Sequence, residues 1–194
     1  EDDYDSEYRY VGRPLPALMS LGATLDGAAR VIYSGTFSKV FSPIVRLGFI
    51  VVPLDMTEAF RDARANHGAP PSLMVQPALA GFIESGQFAV HIRRMRRIYA
   101  SRRKALIDAL VPGDGTLFSL DASPSGLMLL LRLPDLRSDE KTVAHLREQG
   151  VEAVALSGHY SGAHKEQGLL LSFAGFNEAE LQAAAQTVLE VLAQ

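Results

Sequence analysis

Lys39 stands in the stretch Ser34-Gly35-Thr36-Phe37-Ser38-Lys39, and Arg46 follows seven positions later. Three hydroxyls, Ser34, Thr36 and Ser38, can donate to a phosphate. Gly35 lets backbone approach a ligand closely. Arg46 can grip a phosphate with a planar fork of donors. A lysine held beside a phosphate-bearing aldehyde is the arrangement for a Schiff base. That reaction needs the amine partly deprotonated, which nearby cations and limited solvation favour. The same residue types also compose an ordinary surface turn with a solvated lysine, and composition alone does not separate the two.

The first four residues, Glu-Asp-Asp-Tyr, add a carboxylate and a phenol just upstream. A pyridoxal cofactor uses such a pair. A carboxylate can keep the ring nitrogen protonated, and a tyrosine can hydrogen-bond the phenolic oxygen of the ring. A solvated acidic turn is the structural alternative.

Short strands are expected on both sides of the lysine. Ala29–Phe37 and Arg46–Leu54 are rich in β-branched and aromatic residues and are bounded by Gly and Pro. The lysine lies in the loop between them. Asp55–Asn66 predicts a helix stopped by the Pro-containing segment 67–72, and Leu73–Ser85 predicts an apolar helix. From Gln87 to Leu110 apolar residues recur at helical spacing, with Arg and Lys between them. Downstream, Gly126–Pro134, Val151–Ser157 and Gly168–Phe176 predict strands. Ser138–Gln149 predicts a helix stopped at Gly150. A last helix follows Asn177, with Glu180 placed as its capping-box partner.

The 194 residues suffice for one domain or two small ones, and 47% hydrophobic content can supply a core. Net charge is −3, so the whole chain does not advertise nucleic-acid or membrane binding. The absence of cysteine excludes a disulfide scaffold and thiolate metal sites, and suits a cytoplasmic protein. No apolar run is long enough to span a membrane. The opening residues carry no signal-peptide pattern. The chain begins without methionine and reads as part of something longer.

Taken together, "EDDYDSEYRY", "RVIYSGTFSK", "RLGF" and "HIRRMRRIYASRR" resemble fold-type-I pyridoxal-phosphate (PLP) aminotransferases. More narrowly, they resemble the aminotransferase-like domain of MocR-type regulators in the bacterial GntR superfamily. The resemblance implies an α/β fold: the second half of an aminotransferase large domain at 1–90, a connecting basic helix at 91–111, and a small α+β C-terminal domain at 112–194. It implies that Lys39 forms the internal aldimine with PLP. Asp2, rather than Asp3, matches the aspartate under the ring nitrogen, because Tyr4 follows it closely, as the family's tyrosine does. Thr36, Ser38 and Arg46 match the phosphate-binding positions, with Ser34 nearby. It further implies a homodimer and DNA contact through an N-terminal winged helix-turn-helix that is absent from this chain. The domain would sense PLP or an amino-acid effector. The enzymatic alternative is a class I/II aminotransferase.

One departure bears on that alternative. Related aminotransferases place an arginine just before Leu-Ser-Phe on the strand that corresponds to Gly168–Phe176, where it holds the substrate α-carboxylate. Leu170 occupies that position here. A leucine cannot bind a carboxylate, and losing such an ion pair typically costs several kcal/mol, so catalysis is doubtful and PLP sensing is favoured. Ile44 and Met128 also replace residues usual in the family, glycine and histidine. The segment His91–Lys104 carries seven Arg or Lys in fourteen residues. It could be a DNA surface, but a connector with solvated or paired cations explains it as well. The five histidines show no metal-ligand spacing.

Overall fold

The computed structural model describes residues 1–22, 30–67, 73–134 and 136–194. These fall into two compact units, Glu1–Met95 and Arg96–Gln194. Most of the segment 67–72, expected to stop the helix that ends at Asn66, lies outside the described residues.

In the first unit, β1 is only Asp2–Asp3, and α1 (Leu18–Gly22) follows. β2 (Tyr33–Thr36) runs parallel to β1, and β3 (Gly48–Val51) pairs antiparallel with β2. The sheet order is therefore β1-β2-β3. The lysine does not lie in an open loop, as the sequence suggested. It sits in a one-turn helix, α2 (Phe37–Val40), because the Thr36 hydroxyl caps that turn by accepting from the Ser38 N–H at 3.1 Å. A 3-10 turn at Leu54–Met56 leads into α3 (Thr57–Asn66). Two more helices, α4 (Val75–Glu84) and α5 (Gln87–Leu110), complete the unit, with α5 continuing into the second. Phe37, Phe41, Phe49, Phe82 and Phe88 form a chain of ring contacts that ties α2, β3, α4 and α5 together.

The second unit is built on a four-stranded antiparallel sheet, ordered β4-β5-β7-β6. Its strands are β4 (Ser119–Asp121), β5 (Met128–Arg132), β6 (Val154–Ala155) and β7 (Gly168–Ser172). Alternation along the two central strands buries Leu129 and Leu131 on β5 and Leu169 and Leu171 on β7. Helix α6 spans Asp139–Glu148 and α7 spans Glu178–Leu192. α7 adds Leu181, Ala185, Val188 and Leu192 to the same core. The α7 capping box is present in both directions, Asn177 to Glu180 and back. Gly150 follows α6 at φ 81°, a left-handed conformation that suits glycine at a helix end.

Two sequence expectations change here. The strand expected over Val151–Ser157 shortens to two residues, because the chain turns into a 3-10 helix at Leu156–His159. β4 had no strand signal of its own and exists through its pairing with β5. The basic segment of α5 is also partly accounted for. Arg102 donates to the Ala174 carbonyl, Arg103 to the carbonyls of Ala122 and Ser123, and Lys104 pairs with Asp108. At least these three cations serve the fold of the second unit.

The turn at Leu156–His159 follows from Asp139, a fully buried carboxylate. It accepts from the Ser157 N–H at 2.8 Å, the Ser157 hydroxyl at 2.7 Å and the Gly168 N–H at 3.1 Å. Burial pushes its pKa up, but these donors outweigh burial and hold it below the ordinary carboxylate value. A lowered folded-state pKa contributes stability that is present above the unfolded pKa and lost as pH falls through the folded one. Asp139→Ala should therefore reduce unfolding free energy at neutral pH by about 3 kcal/mol, since it strands buried donors. In denaturant titrations the gap from wild type should narrow in acid, as the carboxylate's share of it is lost. A gap that stays constant as the carboxylate protonates would contradict this assignment.

Candidate functional site

The two acidic residues of β1 point to opposite faces of the sheet, because successive strand residues alternate. Asp2 pairs with Ser34, and its Oδ1 accepts from the Ser34 hydroxyl at 3.1 Å. Thr36, two residues beyond Ser34, shares that face. Asp3 pairs with Gly35 on the other face, where its carboxylate accepts from the Tyr33 hydroxyl at 2.5 Å and from the Ser6 hydroxyl and N–H. Burial pushes the Asp3 carboxyl up, but the bonds from Tyr33 and Ser6 prevail and hold it below its ordinary value. The same bond to Asp3 pushes the Tyr33 phenol well above its usual value. Asp3 is thus occupied in fixing the sheet. Asp2 is the carboxylate on the face that leads to Thr36.

Gly35 is required by packing. A Cβ there would stand 2.5 Å from Cζ of Phe49, whose ring lies against Tyr33 and Phe37. This close approach keeps β2 and β3 in register above the aromatic cluster.

Lys39 rises from α2 with its Nζ 5.1 Å from the centroid of the Tyr4 ring, a cation–π distance. Burial and the neighbouring Asp3 push the nearby Asp5 carboxyl up, and the charge of Lys39 partly offsets this. Below the lysine the turn is anchored. The Phe37 N–H donates to the Leu47 carbonyl at 2.9 Å, and the Tyr8 hydroxyl donates to the Val40 carbonyl at 3.0 Å. Tyr8 was not singled out from the sequence, and no spacing rule could have found it.

Thr36, Ser38, Arg46, Leu47 and Gly48 line an open cavity of about 260 Å³. Two hydroxyls and a guanidinium at one mouth can hold a phosphate-sized dianion. Arg46 reaches this mouth from a left-handed backbone conformation, φ 47°, the one non-glycine residue with positive φ among the described residues. Such a conformation disfavours residues bearing a Cβ and often marks functional positions. The structure thus brings Thr36, Ser38 and Arg46 together at one cavity and sets Lys39 against Tyr4. Asp2 is joined to Ser34 on the strand that leads into them. The donor set fits a phosphorylated aldehyde: anion donors, an amine, a phenol and a carboxylate.

The family model described as aminotransferase class I and II matches residues 10–188. The chain belongs to that family. It is 41% identical over 177 residues to the "probable rhizopine catabolism regulatory protein MocR" of Rhizobium meliloti, covering 91% of this chain and 35% of that protein. It is 34% identical over 182 residues to the HTH-type pyridoxine biosynthesis transcriptional regulator PdxR of Corynebacterium glutamicum, covering 94% and 38%. Among solved structures it superposes on kynurenine aminotransferase of Pyrococcus horikoshii, in complex with PMP, with a TM-score of 0.89. That match is at 25% identity, over 100% of this chain and 47% of the enzyme. The chain therefore spans less than half the length of each of these relatives. The expected α/β fold of the aminotransferase class is the observed one.

Within this family fold, Leu170 lies on β7 opposite Leu130 of β5 and Val154 of β6. Its cross-strand neighbours are aliphatic. Arg132 lies on the same face, opposite Gly168, but pairs with Asp121 and Glu166. The guanidinium next along that face is thus already neutralised.

The strain at Arg46 predicts a separation of stability from binding. A Cβ in the left-handed region costs about 1 kcal/mol. Arg46→Gly should therefore be more stable than Arg46→Ala by about that amount, while both weaken binding of inorganic phosphate roughly tenfold. Thermal unfolding and phosphate titration of the two variants check this. Equal stability of the two, or undiminished phosphate binding, would contradict it.

Proposed function

We propose that this chain is the PLP-binding effector domain of a MocR-type bacterial transcriptional regulator of the GntR superfamily, and that it senses PLP or an amino-acid adduct of it. Its kinship with the regulators MocR and PdxR supports the regulatory setting. The observation that carries the choice of sensor over catalyst is Leu170, an aliphatic residue among aliphatic neighbours.

When bound, PLP supplies an electrophilic carbonyl and an electron-withdrawing ring. The residues of this chain supply the rest. Thr36, Ser38 and Arg46 hold the phosphate. Asp2 keeps a proton on the ring nitrogen, and Ser34 orients Asp2 through its hydroxyl. Tyr4 donates to the phenolic oxygen. Lys39 presents its amine to the carbonyl carbon. Asp3 takes no part, being committed to Tyr33 and Ser6. In the intact protein, a homodimer, ligand binding at this site shifts the population of conformers and so the DNA affinity of a helix-turn-helix domain outside this chain. An α-carboxylate finds no counter-ion at Leu170, so amino acids act as effectors with little turnover.

The test uses the full-length regulator. PLP should change its affinity for operator DNA by roughly 5- to 100-fold, the usual range of coupling between sites. Amino-acid-driven conversion of PLP to pyridoxamine phosphate should be barely detectable in wild type. Leu170→Arg should raise that conversion at least about tenfold. Rapid conversion by wild type, with DNA affinity indifferent to PLP, would overturn the sensor reading in favour of an aminotransferase.

A further inference from the structure

α2 is a four-residue helix, so its terminal carbonyls lack partners within the helix. The chain leaves it at Phe41 with φ −126° and ψ −70°, which ends the helical pattern. The Val40 carbonyl therefore needs a donor from elsewhere. It lies beneath the exposed Lys39, in a residue only 3% exposed, where water cannot readily serve. The donor is the Tyr8 hydroxyl at 3.0 Å, 32 residues away in sequence. Tyr8 is itself 1% exposed. Its own turn is closed locally, since the Tyr8 N–H donates to the Asp5 carbonyl at 2.9 Å.

We infer that Tyr8 is a positioning residue for Lys39: its buried hydroxyl closes the C-terminal end of the lysine turn and fixes where the amine stands relative to Tyr4. Two tethers then hold the turn at its two ends. Phe37 N–H to Leu47 fixes the first residue, and Tyr8 to Val40 fixes the last. The first end carries Ser38 and the phosphate mouth, and the second follows directly on the lysine. Loss of the Tyr8 hydroxyl should therefore loosen the amine while leaving the anion donors in place. This inference rests on the proposal that Lys39 engages PLP.

The experiment is a double-mutant cycle on the full-length protein, with PLP as the probe and binding read by fluorescence quenching. The four proteins are wild type, Tyr8→Phe, Lys39→Ala and the double variant. Tyr8→Phe keeps the ring volume and removes only the hydroxyl. It should weaken PLP binding about tenfold when Lys39 is present and leave it unchanged in the Lys39→Ala background. It should also slow appearance of the Lys39-dependent visible absorbance band. A merely structural role would weaken binding equally in both backgrounds, and that result, or no effect in either, overturns the inference. Should Tyr8→Phe fail to fold, 3-fluorotyrosine at position 8 takes its place. That residue keeps the volume and donates more strongly, so it should tighten binding only with Lys39 present. An equal effect, or none, in both backgrounds counts against Tyr8. A visible band unchanged in Lys39→Ala defeats the cofactor reading instead, which keeps the two failures distinguishable.

Discussion

The site depends first on one backbone hydrogen bond, from the Phe37 N–H to the Leu47 carbonyl. It joins the residue that leaves β2 to the residue that enters β3. Everything between them, the lysine turn and the approach to Arg46, is thereby closed into a loop with a fixed mouth. Thr36 reinforces the closure by capping α2 with its hydroxyl, so Ser38 begins the turn at a defined place. The Phe37–Leu47 bond extends the β2–β3 ladder, whose last pair is Thr36–Gly48, and the anion donors line a single cavity beside it.

The sheet beneath the loop sorts the chemistry by simple alternation. One face of β1 and β2 carries Asp2, Ser34 and Thr36, and the other carries Asp3, Tyr33 and Gly35. The first set leads to the cavity lined by Thr36, Ser38 and Arg46. The second is structural, with Asp3 held by Tyr33 and Ser6, and Gly35 covered by Phe49. Two adjacent aspartates thus have separate work, set by their environments rather than by their chemistry. The second unit uses a buried carboxylate in the same structural way: Asp139 draws Ser157 and Gly168 together and ends the strand that precedes them.

What the sequence made legible follows from how local each signal is. The 24-residue α5 was readable to its ends because helical periodicity persists over its whole length. The α7 cap was readable because a capping box is a four-residue pattern. β1 gave no signal: two aspartates have poor strand propensity, and they form a strand only because β2 lies beside them. β6 was overestimated because Val151–Ser157 has strand-like residues, yet Ser157 is drawn away by a carboxylate 18 positions upstream. The lysine, its hydroxyl neighbours and Arg46 were visible as residue types, and their grouping was read from their nearness in sequence and the family resemblance. The Tyr8 anchor was not visible, because it depends on a contact between residues 32 apart in sequence. The meaning of Leu170 was legible only through resemblance to the family, since a leucine in a strand is otherwise ordinary.

The central claim is that Lys39 is the residue that engages PLP. The most direct measurement is the absorbance spectrum of the full-length protein with PLP, wild type against Lys39→Ala, before and after borohydride. The account predicts a visible band in wild type, absent from the variant, and a borohydride-fixed label on the peptide that contains Lys39. A band that survives in Lys39→Ala, a label on another lysine, or no band in either protein would contradict it.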